Sequence, residues 1–496
     1  MTFEIVFVLL SLLGMVAALI ADKMRPGMIL FSVVVLFLCA GILTPKEMLE
    51  GFSNKGMITV ALLFLVSEGI RQSGTLGQVI KKLLPQGKTT VFKAQLRILP
   101  SVAFISAFLN NTPVVVIFAP IIKHWAKSVN LPATKFLIPL SYVTILGGIC
   151  TLIGTSTNLV VHGMILEAGF EGFSMFELGK VGIFIAIAGI IYIFLFSKRL
   201  LPDARPDTAV PDEEVEEGEK LHRVEAVLGA RFPGINKKLK DFNFQRHYGA
   251  EVKEIKTRNG QRFVSNLEEV VLHEGDTLVV MADDTFIPTW GESSVFVLLT
   301  NGNEPDTTGK KKRWFALLLL VLMIVGATVG ELPITKEMFP DIKLDMFFFV
   351  SITTIIMAWT NLFPARKYTK YISWDILITI ACAFAISKAM VNSGVADSVA
   401  KFIIGLSDDY GPHVLLAMVF IITNLFTELI TNNAAAALAF PLALSISAQL
   451  GVSPTPFFVV ICMAASASFS TPIGYQTNLI VQGIGNYKFT DFVRIG

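Results

Sequence analysis

The chain has 496 residues, of which 53% are hydrophobic and 16% are charged, with a formal net charge of +2. A soluble protein of this length carries about one charged residue in four, so the composition excludes an ordinary soluble protein and indicates a polytopic membrane protein. The small net charge and the lack of a basic stripe give no support to a nucleic-acid partner. Four cysteines lie in apolar segments without a pairing or metal-binding pattern, and we interpret them as small buried hydrophobic residues: Cys39, Cys150, Cys382 and Cys462.

Nine continuous apolar runs are long enough to be membrane-spanning helices. They cover residues 3–20, 27–43, 55–70, 134–153, 179–197, 313–330, 344–363, 373–390 and 455–473. The first run has no basic leader and no small-residue cleavage motif, so we predict a retained span rather than a signal peptide. Two further apolar regions, 94–125 and 412–449, are interrupted near their middle by polar residues. Irregular backbone at membrane depth must be buried by protein or line a wet cavity, so we predict that both are re-entrant hairpins.

The composition changes between the two sets of runs. Residues 201–220 form a charged linker that contains proline. Residues 221–303 alternate like short strands and turns, which predicts a small soluble α/β domain. A basic linker, 304–312, then leads into the second membrane block, 313–496, which matches the first block, 1–200. The predicted fold class is therefore an all-α polytopic membrane protein with an inserted small α/β domain.

Positive charge predicts the orientation of the chain. Lysine and arginine are more numerous on the side of the membrane that carries the inserted domain. By the positive-inside rule, residues 201–312 are predicted to be cytoplasmic and the N-terminus to lie outside. We expect a multi-pass protein of the inner (plasma) membrane in this orientation.

The two membrane blocks are related by an internal repeat. TNLVVHG (157–163) matches TNLIVQG (477–483) with a shift of 320 residues, and NNTPVVVIFAP (110–120) matches TNNAAAALAFP (431–441) with a shift of 321. Five crossings and one hairpin precede the inserted domain, so the second block starts from the opposite side and the repeats are inverted. FSMFELGKVG leads into a full span in the first block, whereas its counterpart FTDFVRIG ends the sequence. The repeat therefore predicts a final helix beyond Gly496.

Each half contains two polar breaks, one in the hairpin and one in a broken span. The hairpin breaks are Asn110-Asn111-Thr112 and Thr431-Asn432-Asn433, and the span breaks are GTSTN (154–158) and GYQTN (474–478). Helix halves that begin at the membrane midplane present unpaired N–H groups and positive dipole ends, which suit an anion. Free carbonyls with Asn, Ser and Thr oxygens suit small hard cations. The repeat therefore predicts one anion site between two related cation sites.

No lysine or arginine lies within the four breaks. The positive charge that balances a bound anion would then come from bound cations, which makes cation coupling a requirement of binding. Among the charged residues at membrane depth, Glu68 and its repeat partner Lys388 lie near span ends, and we predict an interfacial position for both. Glu428, three residues before Thr431, either steadies the second hairpin or tunes a cation site, and both interpretations stay open.

With these four breaks the chain resembles the divalent anion:sodium symporter family, and specifically its sulfate-permease-like branch. The resemblance covers about 1–200 and 313–496, and it implies an elevator mechanism in which a transport domain slides against a homodimeric scaffold. It implies two or more Na+ sites, whose ligands would be Ser106, Asn110, Asn111, Gly154 and Asn158 in the first half and Thr427, Asn432, Gly474 and Asn478 in the second. It implies a substrate site formed by Asn111, Thr112, Thr155, Asn432, Asn433, Gly474, Tyr475 and Gln476.

The chain departs from the family pattern in ways that bear on the substrate. The family has Ser-Asn-Thr hairpin tips and Gly-Thr-Pro-Pro-Asn loops in its dicarboxylate carriers. The residues that differ here are Asn110, Thr431, Asn433, Ser156, Thr157, Gln476 and Thr477. These differences favour sulfate import. Dicarboxylates or organic sulfonates as substrates, and a sensor that binds an anion without moving it, remain as alternatives.

The inserted domain is similar to the C-terminal domain of regulators of potassium conductance (TrkA-C). The similarity rests on GINKKL (234–239) and EGDTL (274–278). It implies either a dimerisation aid or a site for a small regulatory ligand. No Gly-x-Gly-x-x-Gly fingerprint is present, so nicotinamide binding is not expected. A potassium channel is disfavoured because no TVGYG-like filter occurs, and an enzyme because no nucleophile–base pair or metal cluster lies at membrane depth.

Overall fold

The computed structural model describes residues 3–21, 24–203, 222–229, 232–257, 261–283, 286–290, 295–300, 310–405, 411–472 and 474–496. Two helical blocks flank a small β-sheet domain. Seven helical segments of the described chain are long and apolar enough to cross a membrane. The predicted polytopic helical fold with a small inserted domain is confirmed. Most of the two predicted linkers, 201–220 and 304–312, falls outside the described residues.

The first block contains ten α-helices. They are α1 (Phe3–Ala21), α2 (Pro26–Cys39), α3 (Pro45–Glu50), α4 (Lys55–Gln72), α5 (Thr75–Leu83), α6 (Val91–Ser106), α7 (Asn111–Ser128), α8 (Leu137–Gly148), α9 (Ser156–Glu167) and α10 (Gly179–Leu200). The residues at the N-termini explain where some of these helices begin. Pro26 lies in the first turn of α2, where its missing N–H costs nothing. The side chain of Thr44 caps α3 and Glu47 returns the bond, which is a capping box.

The second block follows the sheet domain, and eight of its helices repeat the order of α2–α9. Its helices are α13 (Lys310–Gly330), α14 (Pro333–Met338), α15 (Met346–Trp359), α16 (Tyr368–Tyr371), α17 (Trp374–Asn392), α18 (Val395–Gly405), α19 (Gly411–Leu429), α20 (Asn432–Leu450), α21 (Thr455–Ser466), α22 (Gln476–Gly485) and α23 (Phe489–Ile495). The starts of α2 and α15, of α5 and α18, and of α9 and α22 are each 320 residues apart. The structure thus repeats the elements as the sequence motifs indicate.

Both predicted hairpins are present. Region 94–125 is the pair α6–α7, and region 412–449 is the pair α19–α20. Two predicted spans are shorter than expected: the run 134–153 is helical only to Gly148, and the run 455–473 only to Ser466. In both cases the chain leaves the helix where polar side chains begin to compete for the backbone groups. Hydropathy alone does not register the first of these helix ends, because Ile149, Leu152 and Ile153 continue the apolar run.

The two halves interlock around the breaks. Helix α7 packs against α8 and α22, while α9 packs against α20 and α21. We call the eight helices α6–α9 and α19–α22 the core bundle. Helix α20 is buried along most of its length, in keeping with its run of alanines. Helices α2, α4, α15 and α17 pack together beside the bundle. Because each half supplies both a hairpin and a broken helix, residues 320 positions apart meet at the centre.

The inserted domain is a five-stranded antiparallel sheet. Its strands are β1 (His222–Leu228), β2 (Glu251–Lys256), β3 (Arg262–Phe263), β4 (Thr277–Ala282) and β5 (Phe296–Thr300), in the order β3-β2-β4-β1-β5, with the short helices α11 (Phe244–Tyr248) and α12 (Phe286–Trp290). Strand β2 was not among the predicted strands, because EVKEIK is rich in Glu and Lys, which strands disfavour. Ion pairs explain it: Glu254 pairs with Arg262, and Lys256 with Glu225.

The sheet domain contacts the core bundle directly. Glu225 of β1 forms an ion pair with Lys123 of α7 at 3.2 Å. Val227 of β1 belongs to the same buried apolar cluster as the helices. At the start of β4, a Cβ built on Gly275 would lie 3.5 Å from the side chain of Leu479 on α22. The inserted domain is therefore seated on two helices that also carry residues of the candidate site.

Candidate functional site

Four helices of the core bundle begin at the centre of the molecule. They start at Asn111 (α7), Ser156 (α9), Asn432 (α20) and Gln476 (α22). A non-helical residue precedes each start: Asn110, Thr155, Thr431 and Tyr475. The first-turn N–H groups of a helix lack intrahelical partners and carry the positive end of its dipole. The predicted breaks therefore bring four such ends into one region.

Asn111 ties the first hairpin tip to its surroundings. It is 1% exposed. The carbonyl oxygens of Thr144 (3.1 Å) and Gly154 (3.3 Å) and the Ser106 Oγ (2.9 Å) lie within hydrogen-bonding distance of its amide nitrogen, and its amide oxygen accepts from the Tyr475 hydroxyl (2.6 Å). One amide thus joins the hairpin, the broken helix of its own half and the broken helix of the other half. A buried amide with this many partners is held in one orientation.

The second hairpin tip repeats this arrangement. Thr427 Oγ1 lies 2.9 Å from Asn432 Oδ1 and 2.6 Å from the carbonyl oxygen of Ala465. Thr427 and Asn432 are the repeat partners of Ser106 and Asn111, with the shift of 321 found in the sequence. Each half therefore places a hydroxyl against the side-chain amide of an asparagine at the base of its hairpin tip; the amide nitrogen of Asn111 faces Ser106, whereas the amide oxygen of Asn432 faces Thr427.

The break between α8 and α9 is held by a side chain of α9. Asn158 Nδ2 donates to the carbonyl oxygens of Thr151 (2.9 Å) and Gly148 (3.4 Å). The Thr151 hydroxyl accepts from the Gly154 amide at 3.2 Å. Asn158 is fully buried, and its Oδ1 has no hydrogen-bond partner within the described part of the chain. An oxygen in this position is available to a cation.

The break between α21 and α22 is held in the same way. Asn478 Nδ2 donates to the carbonyl oxygens of Ser468 (3.0 Å) and Thr471 (3.1 Å). The Thr471 hydroxyl accepts from the Gly474 amide at 3.2 Å. One difference separates the halves: Asn478 Oδ1 accepts from Ser141 Oγ at 2.7 Å. The amide oxygen of Asn478 is therefore engaged by a hydroxyl of α8 in the other half, whereas that of Asn158 has no such bond in the described residues.

Thr151 and Thr471 are site residues that the sequence reasoning missed. They belong to a pattern, T-x-I-G-x-x-T-N, that occurs in both halves at 151–158 and 471–478. Extending the compared motifs by three residues toward the N-terminus would have found them. The central glycines of this pattern cannot be replaced without strain. A Cβ on Gly154 would overlap the Gly148 carbonyl oxygen, and one on Gly474 would overlap Ser468 Oγ.

Polar side chains also contact each other across the two halves. Thr112 Oγ1 donates to Gln476 Oε1 at 3.2 Å. The equivalent contact in the other direction joins Asn433 Oδ1 to Ser156 Oγ (3.5 Å) and Thr157 Oγ1 (3.3 Å). Each hairpin tip therefore meets the broken helix of the opposite half. The predicted substrate residues of both halves lie in one cluster.

Tyr475 and its repeat partner Thr155 meet at the centre of this cluster. The Tyr475 hydroxyl lies 3.1 Å from Thr155 Oγ1 and 2.6 Å from the Asn111 amide. Asn432 is also among its hydrogen-bonding partners. One phenol hydroxyl thus reaches the tips of both hairpins.

Glu428 anchors the second break. Its Oε1 accepts from the backbone amides of Phe469 and Ser470, both at 3.0 Å. Its Oε2 is buried without a hydrogen-bond partner in the described residues. Through these two hydrogen bonds Glu428 steadies the hairpin against the loop that follows α21. A role of Oε2 at a cation site stays a proposal. The repeat partner of Glu428 is Ala107, so the first half has no such carboxylate.

The remaining predicted residues lie at the edge of the cluster. Asn110 and Ser156 line a small cavity, about 10 Å³ in volume, together with residues of α4 and Met323 of α13. Glu68 pairs with Arg71 at 2.7 Å, one turn from the end of α4, and Lys388 is exposed. Both residues lie near the ends of their helices, and their interfacial placement stays a prediction.

The chemistry of the cluster is neutral and oxygen-rich. None of the side chains that make the contacts between the hairpin tips and the breaks, in the part of the chain that the structure describes, carries a positive charge. Within the same described ranges, no group of three or more His, Cys, Asp or Glu could hold a metal ion. Amide, hydroxyl and carbonyl oxygens are therefore the candidate cation ligands, a set suited to a hard cation and unsuited to a transition metal.

Comparison with known proteins places the chain in a family. The pattern of the citrate transporter family (CitMHS) matches residues 16–446 and, in a second overlapping match, residues 338–495. The chain belongs to this family. The predicted relationship to the divalent anion:sodium symporters is thereby confirmed, and the protein is a transporter and not an enzyme.

Three relatives illustrate the relationship. The transporter is 30% identical to an uncharacterized transporter of Synechocystis, over 94% of this chain and 89% of the relative. It is 23% identical to a protein named probable sodium/sulfate cotransporter 3 of Chlamydomonas reinhardtii, over 96% of this chain and 84% of the relative. It is 31% identical to sodium/sulfate cotransporter 2 of the same alga, over 55% of this chain and 30% of the relative. These similarities support an anion transporter that resides in a membrane.

Proposed function

We propose that the transporter is a sodium-coupled secondary active carrier that imports a small divalent anion, and that this anion is sulfate. The observation that carries the proposal is the central cluster, in which Asn111, Thr112, Tyr475, Gln476 and Asn433 meet across the two halves. Four helix N-termini and their neutral hydrogen-bond donors surround this cluster. Two relatives are named sodium/sulfate cotransporters, one of them as a probable one. These names agree with sodium and sulfate as the transported ions.

The donors in the cluster suit sulfate. At neutral pH sulfate is a dianion that accepts hydrogen bonds and donates none. Amide N–H groups at helix N-termini, together with Asn, Thr and Tyr donors, can replace its hydration shell. Because the cluster lacks a cationic side chain, two negative charges would be strongly disfavoured there without bound cations. Sodium binding beside the anion removes this cost.

The proposed sodium sites lie at the two hairpin bases. In the first, Ser106, Asn110, Asn111, Gly154 and Asn158 would supply side-chain and carbonyl oxygens. In the second, Thr427, Asn432, Gly474 and Asn478 would do so. Hydroxyl, amide and carbonyl oxygens are hard ligands without formal charge, which suits a monovalent cation that must also leave. We propose two sodium ions for each transported anion.

The packing of the helices supports a proposed movement. The core bundle, α6–α9 with α19–α22, carries both hairpins and both breaks and would be the unit that moves. The helices beside it would form the scaffold of a homodimer, as in an elevator mechanism. In this proposal the inserted domain is cytoplasmic and resembles a TrkA-C domain that binds a small regulatory ligand or aids dimerisation. The protein resides in the inner (plasma) membrane with its N-terminus outside.

The family description favours one alternative substrate class. Citrate transport by the family suggests a carboxylate substrate, and dicarboxylates and organic sulfonates belong in the same test.

The test uses purified protein in proteoliposomes with labelled sulfate outside, and an inward sodium gradient against an equimolar choline control. We expect sodium-dependent uptake that excess unlabelled sulfate inhibits more strongly than citrate, succinate or taurine does. Uptake equal in sodium and choline would contradict the proposal, and counterflow without sodium dependence would indicate an uncoupled carrier. Anion binding without counterflow would indicate a sensor.

A further inference from the structure

The two breaks differ most at one pair of equivalent positions. Thr155 and Tyr475 are repeat partners, each the extended residue immediately before the helix that follows its break. In the first half this residue is small, whereas in the second half it carries an aromatic ring. A pseudosymmetric site therefore receives extra bulk from one side only.

The side chain of Tyr475 contacts both hairpin tips through its hydroxyl. The residue is 9% exposed. Its hydroxyl is 2.6 Å from the Asn111 amide of one tip and 3.1 Å from Thr155, and Asn432 of the other tip is a further partner. A side chain that contacts both tips occupies the space that separates them. Its position is set by these hydrogen bonds, so the ring cannot swing aside without leaving buried polar groups unpaired.

The cavity at the edge of the cluster is small. The cavity beside Asn110 and Ser156 has a volume of about 10 Å³. A volume of this size holds about one water molecule. Apolar residues of α4 and α13 also line it, among them Leu63 and Met323.

We propose that Tyr475 is the residue that restricts the substrate to a single tetrahedral oxyanion, an inference that rests on the proposed function. A dicarboxylate separates its two charges by a carbon chain and must reach donors of both hairpin tips at once. The ring of Tyr475 lies across that path. Sulfate concentrates both charges on one centre and needs one compact set of donors, to which the Tyr475 hydroxyl contributes. Selection by size is the ring's role, and affinity for the oxyanion is the hydroxyl's role.

Two substitutions separate these roles. Tyr475→Thr makes the two breaks alike and removes the ring, while Tyr475→Phe keeps the ring and removes the hydroxyl. In sodium-driven proteoliposomes we expect wild-type protein to take up labelled sulfate and to exclude labelled succinate. The Tyr475→Thr variant should take up succinate and should bind sulfate weakly. Tyr475→Phe should still exclude succinate, with an apparent sulfate affinity lowered about tenfold, the effect of losing about 1.4 kcal/mol of hydrogen bonding.

The outcomes distinguish the inference from the function on which it rests. Wild-type protein without sodium-dependent anion uptake contradicts the proposed function. Three results would overturn the role of Tyr475 alone. They are accumulation of both anions by wild-type protein, exclusion of succinate by Tyr475→Thr, and uptake of succinate by Tyr475→Phe. Size-exclusion elution and thermal unfolding identify a variant that does not fold. In that event the Phe variant, which changes one atom at the ring, decides the matter through its succinate exclusion and its sulfate affinity.

Discussion

Asn158 and Asn478 form equivalent pairs of hydrogen bonds in opposite halves of the chain. Each side-chain amide donates to two carbonyl oxygens of the break that precedes its own helix. These bonds keep both breaks in one shape, with the backbone folded beside the hairpin tip. The candidate site therefore depends on two residues that the sequence motif TNL places 320 positions apart.

Removing the side-chain amide of Asn158 or of Asn478 should destabilise the break that this amide holds. Asn158→Ala and Asn478→Ala each leave buried carbonyl oxygens unpaired, which costs about 1–3 kcal/mol. We expect both variants to unfold at a lower temperature than wild type in detergent. An exposed amide at the end of α17, Asn392, provides the matched control, since Asn392→Ala leaves the core bundle intact. Unchanged unfolding temperatures for Asn158→Ala and Asn478→Ala would contradict the role assigned to these bonds.

The two hairpin amides should be essential for transport. Asn111→Ala and Asn432→Ala each remove a side chain assigned to both a sodium site and the substrate site, so we expect sodium-driven uptake to fall to the background of empty liposomes. Size-exclusion chromatography should show folded protein that elutes with wild type. Uptake at the wild-type rate by both variants would mean that the site lies elsewhere in the chain.

Glu428 offers a test of its two possible roles. Glu428→Gln keeps an oxygen that can accept from the amides of Phe469 and Ser470 but removes the negative charge. We expect this variant to fold normally and to need several-fold more sodium for half-maximal uptake, because a nearby carboxylate favours a bound cation. Sodium dependence identical to wild type would assign Glu428 to steadying the hairpin alone. Ala107→Gln, at the repeat position, serves as the comparison for an added amide.

The ion pair between the inserted domain and α7 should respond to acid. Burial alone would raise the pKa of Glu225, but Lys123 and Lys256 beside it, with Arg223, lower the pKa to about 2 from a usual value near 4.5. A carboxylate with a lowered pKa stabilises the folded state fully above its unfolded pKa, and this contribution is lost as pH falls from about 4.5 to about 2. Its size is on the order of 3 kcal/mol at neutral pH.

Thermal unfolding over a range of pH checks this expectation. The difference in stability between wild type and Glu225→Gln should be constant from about pH 5 to pH 8 and should shrink below about pH 4.5, as the linkage requires. Glu251→Gln, which alters an exposed pair with Lys253, is the control and should change stability little. A difference that grows on acidification would contradict the assigned ion pair.

Much of the architecture could be predicted from the sequence because the repeat constrains it. TNL at 157–159 and 477–479, with Pro120 and Pro441 in the hairpins, sets the register of both halves and indicates where the breaks fall. The polar residues at the breaks are conspicuous in apolar surroundings, so chemistry and position agree there. These are the parts of the site that the structure then brings together.

Other features depend on contacts that no local pattern encodes. The short amphipathic helices α5 and α18 lie outside the apolar runs, since hydropathy identifies spans and not interfacial turns. Strand β2 needs the ion pairs of Glu254 and Lys256 to bury its charges. The pairing of Lys123 with Glu225 joins positions about a hundred residues apart in different domains. The central place of Tyr475 follows from folding the two halves together.

The coupling of anion to sodium is the central claim, and the accumulation ratio at zero net flux tests it most directly. Proteoliposomes with a tenfold inward sodium gradient and a clamped membrane potential are incubated with labelled sulfate until uptake stops. Two sodium ions with one dianion move no net charge, so the internal sulfate concentration should exceed the external one by about 100-fold, and this ratio should not depend on membrane potential. A ratio that never exceeds one would contradict sodium-coupled transport of sulfate.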